Sequence, residues 1–163
     1  FIYLMKIRDI ITPEDIVIRD TAESKKQILQ DMVHVISSQK IALNERLVTE
    51  SLLERERLGS TGLGDGVAIP HARCEFPEQS NQSIAGLLLK LKQPIEFEAN
   101  DSQPVDIIFM LLASQNCGTE HLTRLAAISR FIRDNNAADQ IRKAASSSHV
   151  WQVLCKTAMS SAA

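Results

Sequence analysis

The sequence predicts an α/β fold: a single domain of three layers, an α/β/α sandwich built around a mixed β-sheet. Three observations lead there. Two near-continuous apolar runs, IAGLLLKL (84–91) and VDIIFMLL (105–112), have the character of central strands covered on both faces. Stretches with apolar residues at helical spacing come before and after them. The spacing between these elements is irregular, which favours a mixed sheet over a regular doubly wound one.

In chain order, Asp15–Arg19 reads as a short first strand. The first helix starts at Ser24, where Ser24 and Gln27 fit a capping box, and it buries Ile28, Leu29, Met32, Val33 and Ile36. A second helix is expected from an Asn44 cap to Leu58, with Leu47, Val48, Leu52 and Leu53 as its buried stripe. Gly59 stops it, which leaves Arg55 in its last turn. Val67–Ile69 is a short strand. Between the two long strands lie a weak strand at Ile95–Phe97 and a turn around Asn100-Asp101. The last third is helical. Thr119 caps a helix that presents Leu122, Leu125, Ala126, Ile128, Ser129 and Ile132, and two shorter helices start near Asn136 and Ser148. Trp151 anchors the last of these.

The domain is expected to span residues 5–157. Met5 reads as the natural initiator, with residues 1–4 an added or disordered start and residues 158–163 a frayed end. The net charge of −2 gives no overall basic field for nucleic acid, and no apolar run is long enough for membrane insertion. The three cysteines, Cys74, Cys117 and Cys155, are odd in number and irregularly spaced, so a reducing cytoplasm is expected. His34 and His149 read as surface residues.

The most informative segment is GSTGLGDGVAIPH, Gly59 to His71. Its four glycines can turn backbone N–H groups toward an anion, and Pro70 fixes the chain just before a single histidine. That order suggests phosphate chemistry on an imidazole. A histidine after a proline can equally close a strand at the surface, and the residues alone leave both readings open. Known phosphate and hydrolase motifs fail here. Asp65 stands where a P-loop needs lysine, the glycines are spaced G-x-G-x-G rather than G-x-G-x-x-G, and Leu58 replaces the first glycine of a G-x-S-x-G elbow. Two pairs, His71/Cys74 and Cys117/His121, hold the ligand types of a zinc site, but their spacing fits a finger or ribbon poorly.

The segment LLERERLGSTGLGDGVAIPHAR resembles the active-site region of the fructose/mannitol-type EIIA domains of the bacterial phosphoenolpyruvate-dependent phosphotransferase system. The segments LKLKQPIEFEANDSQPVDIIFMLLA and TEHLTRLAAISRFIRD are similar to that family's central strand pair and second histidine segment. Together they cover the chain from about Asp9 to Val153. With no transporter part attached, the chain looks most like the nitrogen-regulatory branch.

The resemblance implies a phosphotransferase component that is transiently phosphorylated on His71, with His121 and Arg55 as the other catalytic residues and no cofactor, metal or nucleotide. It implies phosphate contacts at Gly59, Ser60, Thr61 and Gly62, and an HPr-like phosphocarrier as donor. It further implies regulatory protein targets in nitrogen- or potassium-linked processes. Two alternatives remain: the EIIA subunit of a fructose or mannitol permease that passes phosphate to EIIB, or a binding module that phosphorylation of His71 merely switches.

The physical chemistry of the residues fits such a role. Imidazole titrates near pH ~6.5, so a neutral nucleophile is at hand. Arg55 offers a planar fork, and His121 falls in the first turn of its helix, where partial positive charge favours phosphate. His121 is expected to donate a hydrogen bond rather than carry the group. Against this, Arg55 lies in the charged run Glu54–Arg57, which could be a solvated face, and Arg57 is its near neighbour. Asp65 reads as a turn residue.

Overall fold

A computed structural model describes residues 7–134 and 136–160, and residues 1–4, called an added start above, lie outside that range. A six-stranded sheet runs in the order β1-β5-β6-β3-β2, with β4 also paired to β6. The strands are β1 (Ile16–Arg19), β2 (Gly62–Gly64), β3 (Val67–Ala68), β4 (His71–Cys74), β5 (Ile84–Ile95) and β6 (Val105–Ser114). The helices are α1 (Lys25–Gln39), α2 (Glu45–Arg57), α3 (Glu120–Asp134), α4 (Ala137–Lys143) and α5 (Ser147–Ser160). The sheet is mixed: β1 is parallel to β5, β3 and β4 are parallel to β6, and β5/β6 and β2/β3 are antiparallel.

The two apolar runs are the central strands. On β6, Ile107, Phe109 and Leu111 face one layer while Ile108, Met110 and Leu112 face the other. Strict alternation with both faces covered explains why the run reads as continuously apolar. One layer holds α1 and α2 over Leu87, Leu89 and Leu91 of β5. The other holds α3, α4, α5 and the turn at Ile7–Ile11 over Leu88. Each buried aliphatic side chain contributes roughly 1.5–3 kcal/mol. Lys90 interrupts the apolar row. It sits buried on β5 and donates to the carbonyls of Arg142 and Ala144 at the end of α4. A cation there complements the negative end of the helix.

Several boundaries differ from the sequence expectation, each for a local reason. Asp15 is not in β1: it closes a 3-10 turn, Pro13–Asp15, and its buried carboxylate pairs with Lys40 at 2.9 Å. Ser24 caps α1 through the Gln27 amide, but the Gln27 side chain accepts from the Glu23 amide, one residue before the expected box partner. On α2, Leu47 is 51 % exposed and the inward face is Val48, Thr49, Leu52 and Glu56. On α3, Leu122 and Ala126 are exposed and Phe131 joins Ile128 in the core. The expected strand at Ile95–Phe97 is the end of β5, and Phe97 lies beyond it, buried beneath the Lys25 ammonium. Helix α5 runs on to Ser160, into the stretch expected to fray, and residues 161–163 lie outside the described range.

Candidate functional site

The site is built where one strand breaks into two. β3 and β4 line the same edge of β6 in succession, Val67 opposite Ile107 and His71 opposite Leu111. Between them the Ile69 amide turns away to the Thr61 carbonyl, and Pro70 has no amide to offer. The Pro70 carbonyl accepts from Leu111, which returns the chain to the sheet at His71. The Ile69 carbonyl, released from the ladder, lies 2.8 Å from His71 Nδ1. β4 itself was not foreseen as a strand.

Alternation along β4 decides what meets what. Ala72 and Cys74 pack into the α1–α2 layer. His71 and Arg73 therefore face the other way, toward the start of α3. There Arg73 Nη2 approaches His121 Nδ1 at 3.0 Å. A shallow cleft of about 400 Å³ gathers His71, Arg73, His121, Arg55, Ser51, Glu54 and Leu58. Arg55, in the last turn of α2, donates from Nη1 to the Gly59 carbonyl at 2.8 Å. Its Nε and Nη2 have no hydrogen-bond partner among the described residues. Arg57 instead pairs with Glu54 on the exposed side. The structure thus brings together Arg55, His71 and His121. It adds Arg73, which the sequence reading missed, although the two-residue period of a strand would have placed it beside His71.

The glycine segment does not line this cleft. Thr61 donates its amide at 3.2 Å, and its hydroxyl, to the buried Glu56 carboxylate. The Gly62 amide goes to Ser60 Oγ at 3.1 Å, and the Gly59 amide to the Glu56 carbonyl at 3.2 Å. These donors of Gly59, Thr61 and Gly62, three of the four residues expected to contact phosphate, are engaged within the fold, and neither they nor Ser60 lines the cleft that holds His71. The glycines instead make a β2–β3 hairpin whose two-residue loop, Asp65-Gly66, has positive φ at both positions (55° and 79°). Asp-Gly is the pair such a turn favours. At Gly62 a Cβ would lie 2.7 Å from Ala99 Cβ, so close packing excludes any side chain.

His71 is half-buried, and this desolvation lowers its pKa from the ordinary 6.5. The Ile69 carbonyl and the Glu56 charge oppose that shift, while Arg55 and His121 add to it. The ring is therefore neutral at neutral pH. Cys74 is buried in the opposite layer and its thiol is pushed up to about 11, so the zinc set considered from the sequence does not converge. Among the described residues no group of three or more His, Cys, Asp or Glu could hold a metal, and no helix is long and apolar enough to cross a membrane. A larger cavity of about 580 Å³ opens near the start of β6, beside Asp106 and Arg142, and contains none of the histidines.

The mixed α/β/α sandwich thus sets a half-buried histidine at the start of a sheet-edge strand, faced by a second histidine and an arginine. Residues 9–157 match the family described as phosphoenolpyruvate-dependent sugar phosphotransferase system, EIIA 2, and the chain belongs to it. It is 41 % identical over 150 residues to a nitrogen regulatory protein of Bradyrhizobium diazoefficiens, covering 92 % of this chain and 95 % of that one. The crystal structure of nitrogen regulatory protein IIA-Ntr from Neisseria meningitidis superposes with a TM-score of 0.78 at 30 % identity, covering 91 % of this chain and 98 % of that one. The mannitol enzyme IIA of Escherichia coli, solved in complex with phosphorylated enzyme IIB, shares the fold at TM-score 0.68 and 15 % identity, covering 90 % and 97 %.

Proposed function

We propose that this chain is a cytoplasmic phosphocarrier and regulator that accepts a phosphoryl group on His71 Nε2 from an HPr-like phosphohistidine protein. The observation that carries the reading is the 2.8 Å contact between His71 Nδ1 and the Ile69 carbonyl. A carbonyl only accepts, so Nδ1 bears the ring proton and Nε2 presents the lone pair. The lone pair attacks phosphorus, a P–N bond forms on His71, and the P–N bond to the carrier's imidazole breaks with its electron pair returning to that ring. One P–N bond replaces another, so the protein mainly positions the groups and stabilises charge on the equatorial oxygens. The unpartnered prongs of Arg55 supply donors for those oxygens. His121 is the second donor, and its place at the second residue of α3 adds the positive end of that helix.

The similarity to nitrogen regulatory proteins favours the regulatory branch, with protein targets in nitrogen- or potassium-linked processes. A second reading, onward transfer to an EIIB acceptor, is favoured by the fold shared with a mannitol enzyme IIA that was captured with its IIB. The test is incubation with phosphoenolpyruvate, Enzyme I and HPr-like carriers, read as an acid-labile, base-stable mass gain of one phosphate. His71→Ala abolishes the gain, and His121→Ala slows it without abolishing it. Label on the His71→Ala protein would overturn the assignment. Label that never leaves His71 for a second protein would favour a phosphorylation-switched binding module, and growth on fructose and mannitol separates the permease reading from the regulatory one.

A further inference from the structure

We propose that Arg73 is a positioning residue for this site, fixing the tautomer and orientation of the His121 ring. Its consequence for catalysis rests on the phosphoryl-acceptor reading above, but its geometry stands independently. Arg73 Nη2 meets His121 Nδ1 at 3.0 Å and also donates to the Gly118 carbonyl. Its Nη1 reaches the carbonyls of Ser114 and Gln115 at 3.5 Å each, and the Cys117 sulfur at 3.7 Å. A guanidinium has donors only and keeps its proton at any pH a protein survives. Whatever faces it must accept. His121 Nδ1 therefore presents a lone pair, and the neutral ring carries its one proton on Nε2.

That is the protonation state a phosphate-binding histidine needs, and the His121 side chain alone does not fix it. An unrestrained imidazole samples both tautomers and turns about its side-chain bonds. The other neighbour of Nδ1 is the Cys117 sulfur, 3.9 Å away, a weak partner at best. Arg73 also ties the 114–118 loop, which launches α3, to the strand that carries His71. One side chain thereby references the second histidine to the first. The two arginines of the cleft divide the work. Arg55 keeps two prongs free for a ligand, whereas both terminal nitrogens of Arg73 are committed to protein acceptors, so Arg73 is not a second phosphate clamp.

The experiment is nitrogen-15 NMR of the imidazole rings in the full chain, with phosphoryl transfer from the carrier measured in parallel. Wild type, Arg73→Met and Arg73→Lys are compared. In wild type, His121 shows a single tautomer with Nε2 protonated. Arg73→Met converts it to an exchanging mixture and slows transfer (as kcat/KM) by about tenfold. His71 keeps its Nδ1 proton in both and reports that the sheet edge is intact. Arg73→Lys, which retains a charged donor, restores part of both readouts. A wild-type tautomer in Arg73→Met, with or without slower transfer, overturns the proposal, and so does a mixed tautomer with unchanged transfer. If Arg73→Met loses the His71 signature, Arg73→Lys decides: an ordered His121 with faster transfer than Arg73→Met supports the proposal, and a disordered ring in a folded protein overturns it. If wild type takes up no phosphoryl group at all, the His71 reading falls, while the spectra still decide whether Arg73 holds His121.

Discussion

The buried Glu56 carboxylate holds Thr61 at two points, one oxygen taking the Thr61 amide at 3.2 Å and the other its hydroxyl. Lys25 of α1 neutralises it at 2.8 Å and also donates to the Phe97 carbonyl. The end of α2, the start of the hairpin and α1 are thus pinned to one charged group, and Arg55 lies one residue before it. Glu56→Ala leaves the Lys25 charge unpaired and two Thr61 donors unsatisfied. It should lower the unfolding free energy by roughly 3 kcal/mol, measured by urea denaturation.

His71 supplies a pH dependence whose sign follows from its burial. Its pKa is lowered below 6.5, so between the folded and unfolded values the unfolded chain binds more protons. This contribution to stability is present above pH 6.5 and is lost as pH falls through the folded-state value. Phosphoryl acceptance, which needs the neutral ring, should persist at pH values where a free histidine is mostly protonated. An NMR titration of His71 with its midpoint above 6.5 would contradict both statements.

Gly66 tests the hairpin. Its φ is 79°, and a Cβ there would collide with Arg142 Nη2 and lie 2.8 Å from Asp106 Oδ1. Those two groups form an ion pair at 2.7 Å that joins β6 to α4. Gly66→Ala must strain the turn and push the pair apart, and should cost about 2–4 kcal/mol in thermal or urea unfolding. Labelling of His71 by the carrier should survive in the folded fraction, because this pair is remote from the cleft.

Leu58 tests the docking face. It is 86 % exposed and forms part of the cleft, with Leu122, 56 % exposed, on the α3 side. Transient carriers meet through modest interfaces with apolar centres. Leu58→Glu should leave stability within about 0.5 kcal/mol of wild type and raise the KM for the carrier by roughly tenfold. Saturation kinetics with purified carrier would check this, and an unchanged KM would place the docking surface elsewhere.

The layers and the central strands were legible in the sequence because apolar periodicity bears on them, whereas Arg55, His71 and His121 were grouped through the family resemblance, and the fold gathers them in one cleft. Other features were not legible, for identifiable reasons. Leu47 and Val48 are adjacent apolar residues that the sequence does not rank, and the buried face of α2 takes Val48 together with the polar Thr49 and Glu56. β4 is four residues long with an arginine and a histidine in it, so it carries little apolar pattern. The hairpin within the glycine segment was not legible because the same composition serves an anion-binding loop and a tight hairpin. The Asp65-Gly66 pair was the local sign of the hairpin. Arg73 escaped notice because its partner lies 48 positions away, across a loop whose path the sequence does not specify.

The break at Pro70 mounts the His71 imidazole on a strand instead of on a mobile segment. Backbone bonds to β6 and a tether to its own chain two residues back leave that ring little room to swing toward a visitor. Under the proposed function, each protein exchanging phosphate with it would have to bring its own reacting atom to one fixed point in space. Donor and acceptor would then compete for a single landing spot, and the chain could serve only one of them at a time.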